Sequence, residues 1–437
     1  MQVLTMIFYT AITLGILVFI HEFGHYIAAK LTGMRVDRFS IGFPPRAFGK
    51  KIGDTDYCVS WIPIGGYVKI AGMVDESMDT DFANQPPQPW EFRSRPMWAR
   101  MLVLSAGVIM NVLLALAIFW CIHFEQGSYT AETTDVGLVT EGSAFDKAGL
   151  TSNDKILSVN KKPVTHWDQI QQYIYIENLG NDITLEVERQ GRTLQIFVPA
   201  KSMPPPSSNQ TTIMVGHTVA VVEGVDAKMP AAKLGLMAGD TLVSVNDTVV
   251  SQPKVIALIN KNAGRQINLK WKRGNSFFSD TVTVTTAGRI GIIVGARYIG
   301  PSKHIEYSFV EAFGEGIKDI QQSVYLFYLT FSKIFSGKAS LKESLGGPVA
   351  IAQLATQSAE MGIITFIWFM AQLSMSLAIL NILPIPALDG GHLLMLIFEK
   401  IFRREIPYRV KIAIQQAGFI LLLAFMAFII YNDISRF

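Results

Sequence analysis

Residues 3–29 read VLTMIFYTAITLGILVFIHEFGHYIAA, an apolar run in which Glu22 is the only acidic or basic residue apart from two histidines. A run of this length can cross a bilayer as a helix. His21 and His25 are four residues apart, so on a helix they share one face. Ionisable side chains are costly inside a membrane span, so His21-Glu22-Phe23-Gly24-His25 is a candidate functional motif.

Two histidines one turn apart can hold a Zn²⁺ ion, and Glu22 can then take a proton from the water that zinc activates. The alternative is two buried, hydrogen-bonded histidines beside a glutamate with no chemical role. Inside an apolar span this alternative leaves the desolvation of Glu22 uncompensated. The motif therefore favours a metal site.

The composition indicates a membrane protein with sizeable soluble parts. Half of the 437 residues are hydrophobic, and the net charge is only +3. We find no basic tract suited to nucleic acid, so no nucleic-acid partner is expected. The two cysteines, Cys58 and Cys121, lack the spacing of a metal or redox motif. No Lys or Arg precedes the apolar run, so we interpret it as a retained transmembrane helix rather than a signal peptide.

Four segments are long and apolar enough to span a bilayer: residues 3–29, 97–123, 361–383 and 412–431. Lys and Arg are concentrated between the first two spans and between the last two, so both connections are predicted to be cytoplasmic. Both termini and the 124–360 region are then expected outside, in the periplasm of a bacterial inner membrane. Residues 57–71, YCVSWIPIGGYVKIA, predict a membrane-associated β-hairpin.

The outer region contains an internal repeat with an offset of 86 residues. Residues 147–160 recur at 233–246, each with a Gly-Leu pair followed by an Asp-led strand ending in Val-Asn. Both copies resemble the signature of PDZ domains, although Asn153 stands where that pattern has glycine; Gly239 fits it. A period of this size is typical of a duplicated domain. Whether the copies bind a peptide or act as shape filters stays open.

These patterns predict a polytopic α-helical membrane protein with four transmembrane helices and two tandem periplasmic PDZ domains of the α+β class. Its predicted parts are residues 1–125 with two spans and the hairpin, 126–206 and 207–300 as the PDZ domains, 301–348 as amphipathic membrane-surface helices, and 349–437 with two further spans.

The third span ends in a segment that supplies the second half of the site. Asn381 is followed by Pro384 and Pro386, which stop the helix, and then by Asp389-Gly390-Gly391-His392. A catalytic zinc commonly has three protein ligands, and Asp389 is a good third. Spans one and three run in the same direction by parity, which puts Asp389 and the two histidines near the cytoplasmic face. Asp389 as a helix N-cap and His392 as a rival ligand are the alternatives.

Together the two motifs resemble those of the site-2 proteases, intramembrane zinc metalloproteases, and in particular their regulator-of-sigma-E branch. The resemblance implies zinc bound by His21, His25 and Asp389, with Glu22 as catalytic acid and base. It also implies that Asn381 lies near the scissile bond. The remaining residues that it assigns to substrate binding or to the family's span-two element are Gly66, Tyr67, Val68, Gly107 and Asn111.

The resemblance further implies substrates that are single-span membrane proteins already trimmed on the periplasmic side. An anti-sigma factor, RseA, is the expected substrate, together with signal-peptide remnants. The PDZ pair is expected to exclude bulky outer domains. Two alternatives are a zinc or cation transporter that uses the same ligands, and a catalytically inactive PDZ scaffold in the membrane.

Overall fold

The computed structural model describes residues 2–73, 85–178, 180–203, 213–226, 228–337 and 346–434. The chain forms two compact units. The first comprises residues 1–127, 306–332 and 340–437, and the second comprises residues 128–305 and 333–339. The predicted proline linker at 204–206 lies outside the described residues.

The helices are α1 (Gln2–Leu31), α2 (Met97–Gln126), α3 (Ala144–Lys147), α4 (Trp167–Gln171), α5 (Pro230–Lys233), α6 (Gln252–Lys261), α7 (Phe309–Phe335), α8 (Pro348–Glu360), α9 (Ile363–Ile382), α10 (Asp389–Phe402) and α11 (Tyr408–Ile434). The strands are β1 (Val36–Ile52), β2 (Thr55–Ile70), β3 (Ser128–Ala131), β4 (Val136–Val139), β5 (Lys155–Val159), β6 (Lys162–Pro163), β7 (Ile183–Arg189), β8 (Arg192–Val198), β9 (Ile213–Val215), β10 (Thr218–Val225), β11 (Thr241–Val245), β12 (Thr248–Val249), β13 (Gln266–Arg273), β14 (Ser276–Thr283), β15 (Ile292–Tyr298) and β16 (Ser302–Ile305).

Four of the described helices, α1, α2, α9 and α11, are long and apolar enough to cross a membrane. They coincide with the four predicted spans. The fourth helix begins at Tyr408, four residues before the predicted start of its span. An amphipathic Tyr408-Arg409-Val410-Lys411 turn at this end obscured the boundary in the sequence.

The hairpin prediction at 57–71 was wrong in its bounds, because the paired region starts at Val36. Strand β1 pairs with β2, and the predicted hairpin is only most of the second strand. Both strands bend, so that Phe39 is opposite Val68 on one side and Tyr57 on the other. The bends divide each strand into two segments, here called arms. Arm 36–41 of β1 lies between arms 66–70 and 56–59 of β2, so arm 66–70 forms an edge of the sheet.

One apolar cluster joins the end of α1, this sheet and the start of α2. It contains Ala28, Val36, Phe39, Val68, Val103 and Ala106, all buried. Gly24 allows the two helices to approach closely, since a Cβ there would lie 2.8 Å from the carbonyl carbon of Ala106. This packing fixes the C-terminal third of α1, which carries the two histidines, against both α2 and the sheet.

Helix α7 is one continuous helix of 27 residues. The sequence predicted amphipathic membrane-surface helices in this region, over residues 301–348. Its first half packs on α2: Trp120 donates a hydrogen bond to the Phe309 carbonyl, and His123 lies 2.7 Å from Asp319. Ile320 joins the cluster that Phe119 forms with α9.

The second unit contains the sequence repeat as a repeated structure. Helices α3 and α5, strands β5 and β11, and strands β6 and β12 are related by the same offset of 86 residues. In each copy the central strand pairs with the short strand and with a long hairpin: β5 with β6 and β7, and β11 with β12 and β13.

Both copies also share an ion pair that the sequence comparison missed. Arg189 donates two hydrogen bonds of 2.6 Å to the Asp154 carboxylate, and Arg273 donates two of 2.7 Å to that of Asp240. The arginines are 84 rather than 86 residues apart, because the second copy is two residues shorter between its short strand, β12, and its arginine than the first copy is after β6.

Asn153, which departs from the PDZ pattern, takes the conformation that the pattern requires. Its φ is 69°, and the φ of Gly239 in the second copy is 94°. Asparagine is one of the few residues other than glycine that tolerate this region. The substitution therefore preserves the turn before each Asp-led strand.

The predicted boundary between the copies, at 206/207, needs correction. Strand β9 pairs with β4, and Ile213 is buried in the apolar cluster of the first copy. The first copy therefore extends at least to Val215, and the second begins with β10. The segment could not be assigned from sequence because the repeat signature ends well before it.

Candidate metal centre

The structure brings His21, His25 and Asp389 together. Asp389 Oδ2 lies 3.1 Å from Nε2 of His21 and 3.3 Å from Nε2 of His25. The two Nε2 atoms are 3.2 Å apart. The three side chains are 12%, 11% and 19% exposed, so the cluster is largely shielded from solvent.

Helix α2 orients the His25 ring. Its Nδ1 lies 2.7 Å from the carbonyl oxygen of Val103, so Nδ1–H donates to that carbonyl. The lone pair of Nε2 then points toward the cluster. Metal-binding histidines are commonly held in this way, by a hydrogen bond from the ring nitrogen that does not bind the metal.

Asn111, also on α2, lies against the other histidine. Its amide nitrogen is 3.4 Å from His21 Nδ1, and its Oδ1 is buried with no hydrogen-bond partner among the described residues. A His21 ring that binds a metal through Nε2 carries its proton on Nδ1 and needs an acceptor. Rotating the amide by 180° supplies one, because Oδ1 then faces Nδ1–H.

Gly107 leaves the space in front of the two rings open. A Cβ at this position would lie 2.6 Å from His21 Nε2 and closer still to His25 Nε2. Gly107 is thus the residue of α2 that faces both candidate ligand atoms, one turn before Asn111. Any larger residue would fill the volume between the imidazoles.

Asp389 is the first residue of α10 and follows a tight loop. Cβ atoms on Gly390 and Gly391 would meet backbone of that loop, at 2.5 Å from the Ile382 carbonyl carbon and 2.8 Å from that of Ile385. Burial alone would raise the pKa of the Asp389 carboxyl, but the two histidines hold it below its usual value. The carboxylate is therefore ionised, as a metal ligand must be.

Two cavities meet at the cluster, and both are lined by His21, Glu22 and Asp389. The cavity of about 180 Å³ also contains Asn111 and Asn381. The other contains Tyr67 and Val68 of the sheet edge, as well as His392. Gly66 lies close to Glu22, since a Cβ on it would be 3.3 Å from Glu22 Cγ. Apart from Gly107, which faces the two imidazoles, each site residue expected from the sequence lines one or both of these cavities.

The donor set fits a zinc ion. Zinc lies about 2.0–2.1 Å from nitrogen and oxygen ligands, so two ligands of a tetrahedral ion are about 3.3 Å apart. The observed separations are 3.1, 3.2 and 3.3 Å. Asp389 Oδ2 is buried without a hydrogen-bond partner among the described residues, and Gly107 keeps the intervening space open. Three ligands also leave a fourth position free.

His392 does not join this group. The described residues offer one cluster with metal-ligand spacing, and it consists of His21, His25 and Asp389. Nε2 of His392 instead lies 2.9 Å from the side-chain nitrogen of Gln415 on α11. Burial lowers the pKa of His392 to about 4, so the ring is neutral and accepts this hydrogen bond.

Three contributors to the site were not anticipated from the sequence: the Val103 carbonyl, the loop residue Ala387 and Gln415. A backbone acceptor carries no side-chain signal. A glutamine in an apolar span does carry a sequence signal, because a polar side chain there needs a hydrogen-bond partner. Gln415 is such a residue, and it is buried.

A His-Glu-x-x-His motif on a helix apolar enough to cross a membrane, with a third acidic ligand from another helix, defines the class of zinc metalloproteases. The model of peptidase family M50 matches residues 9–425. The chain belongs to this family, and it is a zinc metalloprotease of the site-2 type, as its motifs had predicted.

Relatives match the chain over almost its whole length. A Neisseria meningitidis protein named as a zinc metalloprotease is 33% identical over 96% of this chain and 97% of its own. The regulator of sigma-E protease of Salmonella typhimurium is 31% identical, and that of Escherichia coli 29%, each over 97% of both chains.

Among solved structures, the PDZ domain of an SdrC-like protein from Listeria monocytogenes is 24% identical. It covers 18% of this chain and 92% of its own, with a TM-score of 0.17. A match at that score supports no fold assignment.

Proposed function

We propose that this protein cleaves peptide bonds within the membrane-spanning helices of single-span proteins that have already lost their outer domain. Zinc would be held by His21, His25 and Asp389. The observation that carries the proposal is the approach of these three donors within 3.3 Å, with both histidines on a helix that is apolar enough to cross a membrane. Bound zinc would polarise the scissile carbonyl and lower the pKa of a water molecule toward neutrality.

Glu22 is the proposed proton carrier. It lines both cavities beside the cluster, and it follows His21 directly on α1. Its carboxylate takes a proton from the attacking water and gives it to the departing amine. Asn381 and Asn111 line the same cavity. The Asn381 amide is proposed to donate to the substrate backbone or to the developing oxyanion.

The edge of the sheet is the proposed substrate support. In a helix the backbone N–H and C=O groups are hydrogen-bonded to each other, so a substrate helix must unwind before its scissile bond can be cut. Residues 66–70 form a sheet edge whose Tyr67 and Val68 line a cavity with Glu22. An unwound segment could add to this edge as a further strand, which orders it by backbone hydrogen bonds.

The second unit is proposed to be a tandem of PDZ domains in the periplasm. The repeated strands and helices and the repeated Asp–Arg pair support the duplication. The excess of Lys and Arg in the connections between spans supports the orientation, with the metal centre near the cytoplasmic face of a bacterial inner membrane. The unit would exclude substrates that retain a bulky outer domain, or bind their peptide ends.

An anti-sigma factor is the proposed substrate class, with RseA-like proteins first and signal-peptide remnants second. The support is that the Salmonella and Escherichia coli relatives are named as regulators of sigma E. A transporter or an inactive scaffold would need neither Glu22 in the cavity nor an open fourth position beside three ligands.

The test compares wild type with Glu22→Gln in proteoliposomes that contain a single-span substrate trimmed on one side. We expect zinc-dependent cleavage by wild type and a loss of at least 100-fold in the variant, within the range general-base catalysis contributes. Zinc binding should persist in Glu22→Gln. Undiminished cleavage by the variant would remove the mechanism, and zinc flux without cleavage would favour a transporter.

A further inference from the structure

The loop that leads to Asp389 holds one residue in an uncommon backbone conformation. Ala387 has a φ of 76°, which a residue with a Cβ rarely adopts. It lies two residues before Asp389 and lines both cavities of the site. Such a conformation persists only where the surroundings enforce it, and it is frequent at active sites.

A single buried side chain of α11 contacts the chain on both sides of Asp389. Gln415 Oε1 accepts a hydrogen bond of 3.0 Å from the Ala387 backbone N–H. Its Nε2 donates one of 2.9 Å to Nε2 of His392. Gln415 is 6% exposed, so neither hydrogen bond competes with much water. Both ends of the amide are thus used, one before and one after the candidate ligand.

The next turn of α11 reinforces this contact. A Cβ on Gly418 would lie 2.6 Å from the carbonyl carbon and oxygen of Pro386. Residues three apart share a helix face, so Gln415 and Gly418 together form the surface on which Pro386 and Ala387 pack. The glycine permits the approach, and the glutamine supplies the hydrogen bonds.

We propose that Gln415 is a positioning residue for the metal centre, acting through the Pro386–Ala387 loop and His392 on Asp389. This inference rests on the proposed role of Asp389 as a zinc ligand. The two histidines come from α1, whereas Asp389 is the first residue of α10, directly after the loop that follows α9. Its placement within 3.1 Å of one ring and 3.3 Å of the other depends on that loop.

The experiment measures zinc affinity by competition with a chromophoric chelator, and the visible absorption of the Co²⁺-loaded full-length protein in detergent. Gln415→Leu removes both hydrogen bonds and should weaken zinc binding about 10–100-fold, as loss of outer hydrogen-bond partners does. Its Co²⁺ spectrum should change in intensity, because the ligand geometry is altered. Gln415→Glu keeps the acceptor for Ala387 and loses the donor to His392, so its zinc affinity should lie between those of wild type and Gln415→Leu. It replaces Gln415→Leu in the test if that variant does not fold.

Gln416→Leu is the matched control, since the neighbouring glutamine is exposed on the same helix. It should retain wild-type affinity and spectrum. Ala387→Gly should partly restore zinc affinity in the Gln415→Leu background, because glycine adopts the required φ without help. A purely structural role for Gln415 would lower the apoprotein's melting temperature and leave the Co²⁺ spectrum unchanged.

Asp389→Ala separates this inference from the function it rests on. If Asp389→Ala loses zinc and the two Gln415 variants keep wild-type affinity and spectrum, Gln415 is not a positioning residue and the proposed site stands. If Asp389→Ala retains wild-type zinc affinity, the proposed site itself fails.

Discussion

At the scale of single residues, the candidate metal centre depends on the absence of a side chain at Gly107 as well as on its three candidate ligands. His21 and His25 are presented by α1, but the space between them is bounded by Gly107 of α2. The same helix supplies the Val103 carbonyl to His25 and the Asn111 amide to His21. One face of α2 therefore orients both rings and leaves the position between them open.

Replacement of Gly107 by alanine should abolish zinc binding without unfolding the protein. The new Cβ would lie 2.6 Å from His21 Nε2, where an ion would otherwise be. Alanine favours a helix over glycine by about 1 kcal/mol, which opposes destabilisation of the apoprotein. Zinc affinity and the melting temperature of the apoprotein are the measurements.

Gly15→Ala is the control for this substitution, because a Cβ there meets nothing within 4 Å on a helix of similar character. It should leave zinc affinity unchanged. Wild-type affinity in Gly107→Ala would mean that the ion does not lie between the two imidazoles.

The Asp154–Arg189 pair predicts an acid limit to the stability of the second unit. Burial alone would raise the pKa of Asp154, but the hydrogen bonds and charge of Arg189 hold it below its usual value. Because the folded-state pKa is lowered, the stabilisation is complete above the unfolded pKa of about 3.9. It is lost as the pH falls through the lower folded value.

Arg189→Gln should therefore cost about 1–3 kcal/mol in free energy of unfolding at pH 7, since a carboxylate that is 1% exposed loses its main partner. The cost should be smaller at pH 3. Urea unfolding of the second unit at both pH values measures it, with exposed Arg192→Gln as control. An equal cost at both pH values would contradict the ionic origin.

The three candidate ligands could be named from the sequence, but the groups that orient them could not. His21, His25 and Asp389 belong to motifs with fixed spacing, and parity placed both motifs at one depth. Val103, the partner of His25, lies 78 residues away along the chain, and Asn111, the partner of His21, lies 90 residues away. Gln415 and Ala387 depend on how α11 packs on a loop, which a local pattern does not encode.

At the scale of elements, the β1–β2 sheet lies beside Glu22, since a Cβ on Gly66 would be 3.3 Å from Glu22 Cγ. Its edge arm, residues 66–70, pairs with 36–41 on the inner side. The sequence showed the apolar, β-branched second strand, but not β1, which contains Pro44-Pro45 and four basic residues. Such a segment resembles a loop until its partner strand is known, because pairing rather than propensity stabilises it.

Pro at Val68 should reduce cleavage while zinc remains bound. Proline removes a backbone N–H and opposes strand addition at an edge, so a substrate segment would lose part of its support. The measurement is turnover of a trimmed single-span substrate together with zinc affinity. Lys50→Pro is the control on the opposite arm, which faces neither cavity. Unchanged turnover in Val68→Pro would refute the edge as substrate support.

At the scale of the whole molecule, the second unit is an insertion whose two ends meet. Strands β3 and β16 pair antiparallel, with Ser128 opposite Ile305. Paired residues in such a ladder have Cα atoms about 4.5–5.5 Å apart. The chain therefore leaves the membrane-spanning part after α2 and returns at a neighbouring point before α7. The periodicity of apolar residues revealed both parts, but not that the insertion closes on itself.

Excision of residues 128–305, with a short Gly-Ser link between Gly127 and Glu306, should leave a membrane protein that folds and binds zinc. Because the ends are adjacent, the link closes a small gap at low entropic cost. This variant should cut single-span substrates that keep their outer domain, which the full chain should leave uncut. Both cleavage assays and zinc affinity are measured on the same preparations.

Replacement of residues 128–305 by an unrelated folded domain of similar size distinguishes two versions of this idea. A purely steric filter predicts that the unrelated domain restores exclusion of untrimmed substrates. A filter that works by binding peptide ends predicts that it does not, and that trimmed substrates are then cut more slowly than by the full chain. Failure of the excised variant to cut untrimmed substrates, while it still cuts trimmed ones, would show that the second unit is not what excludes them.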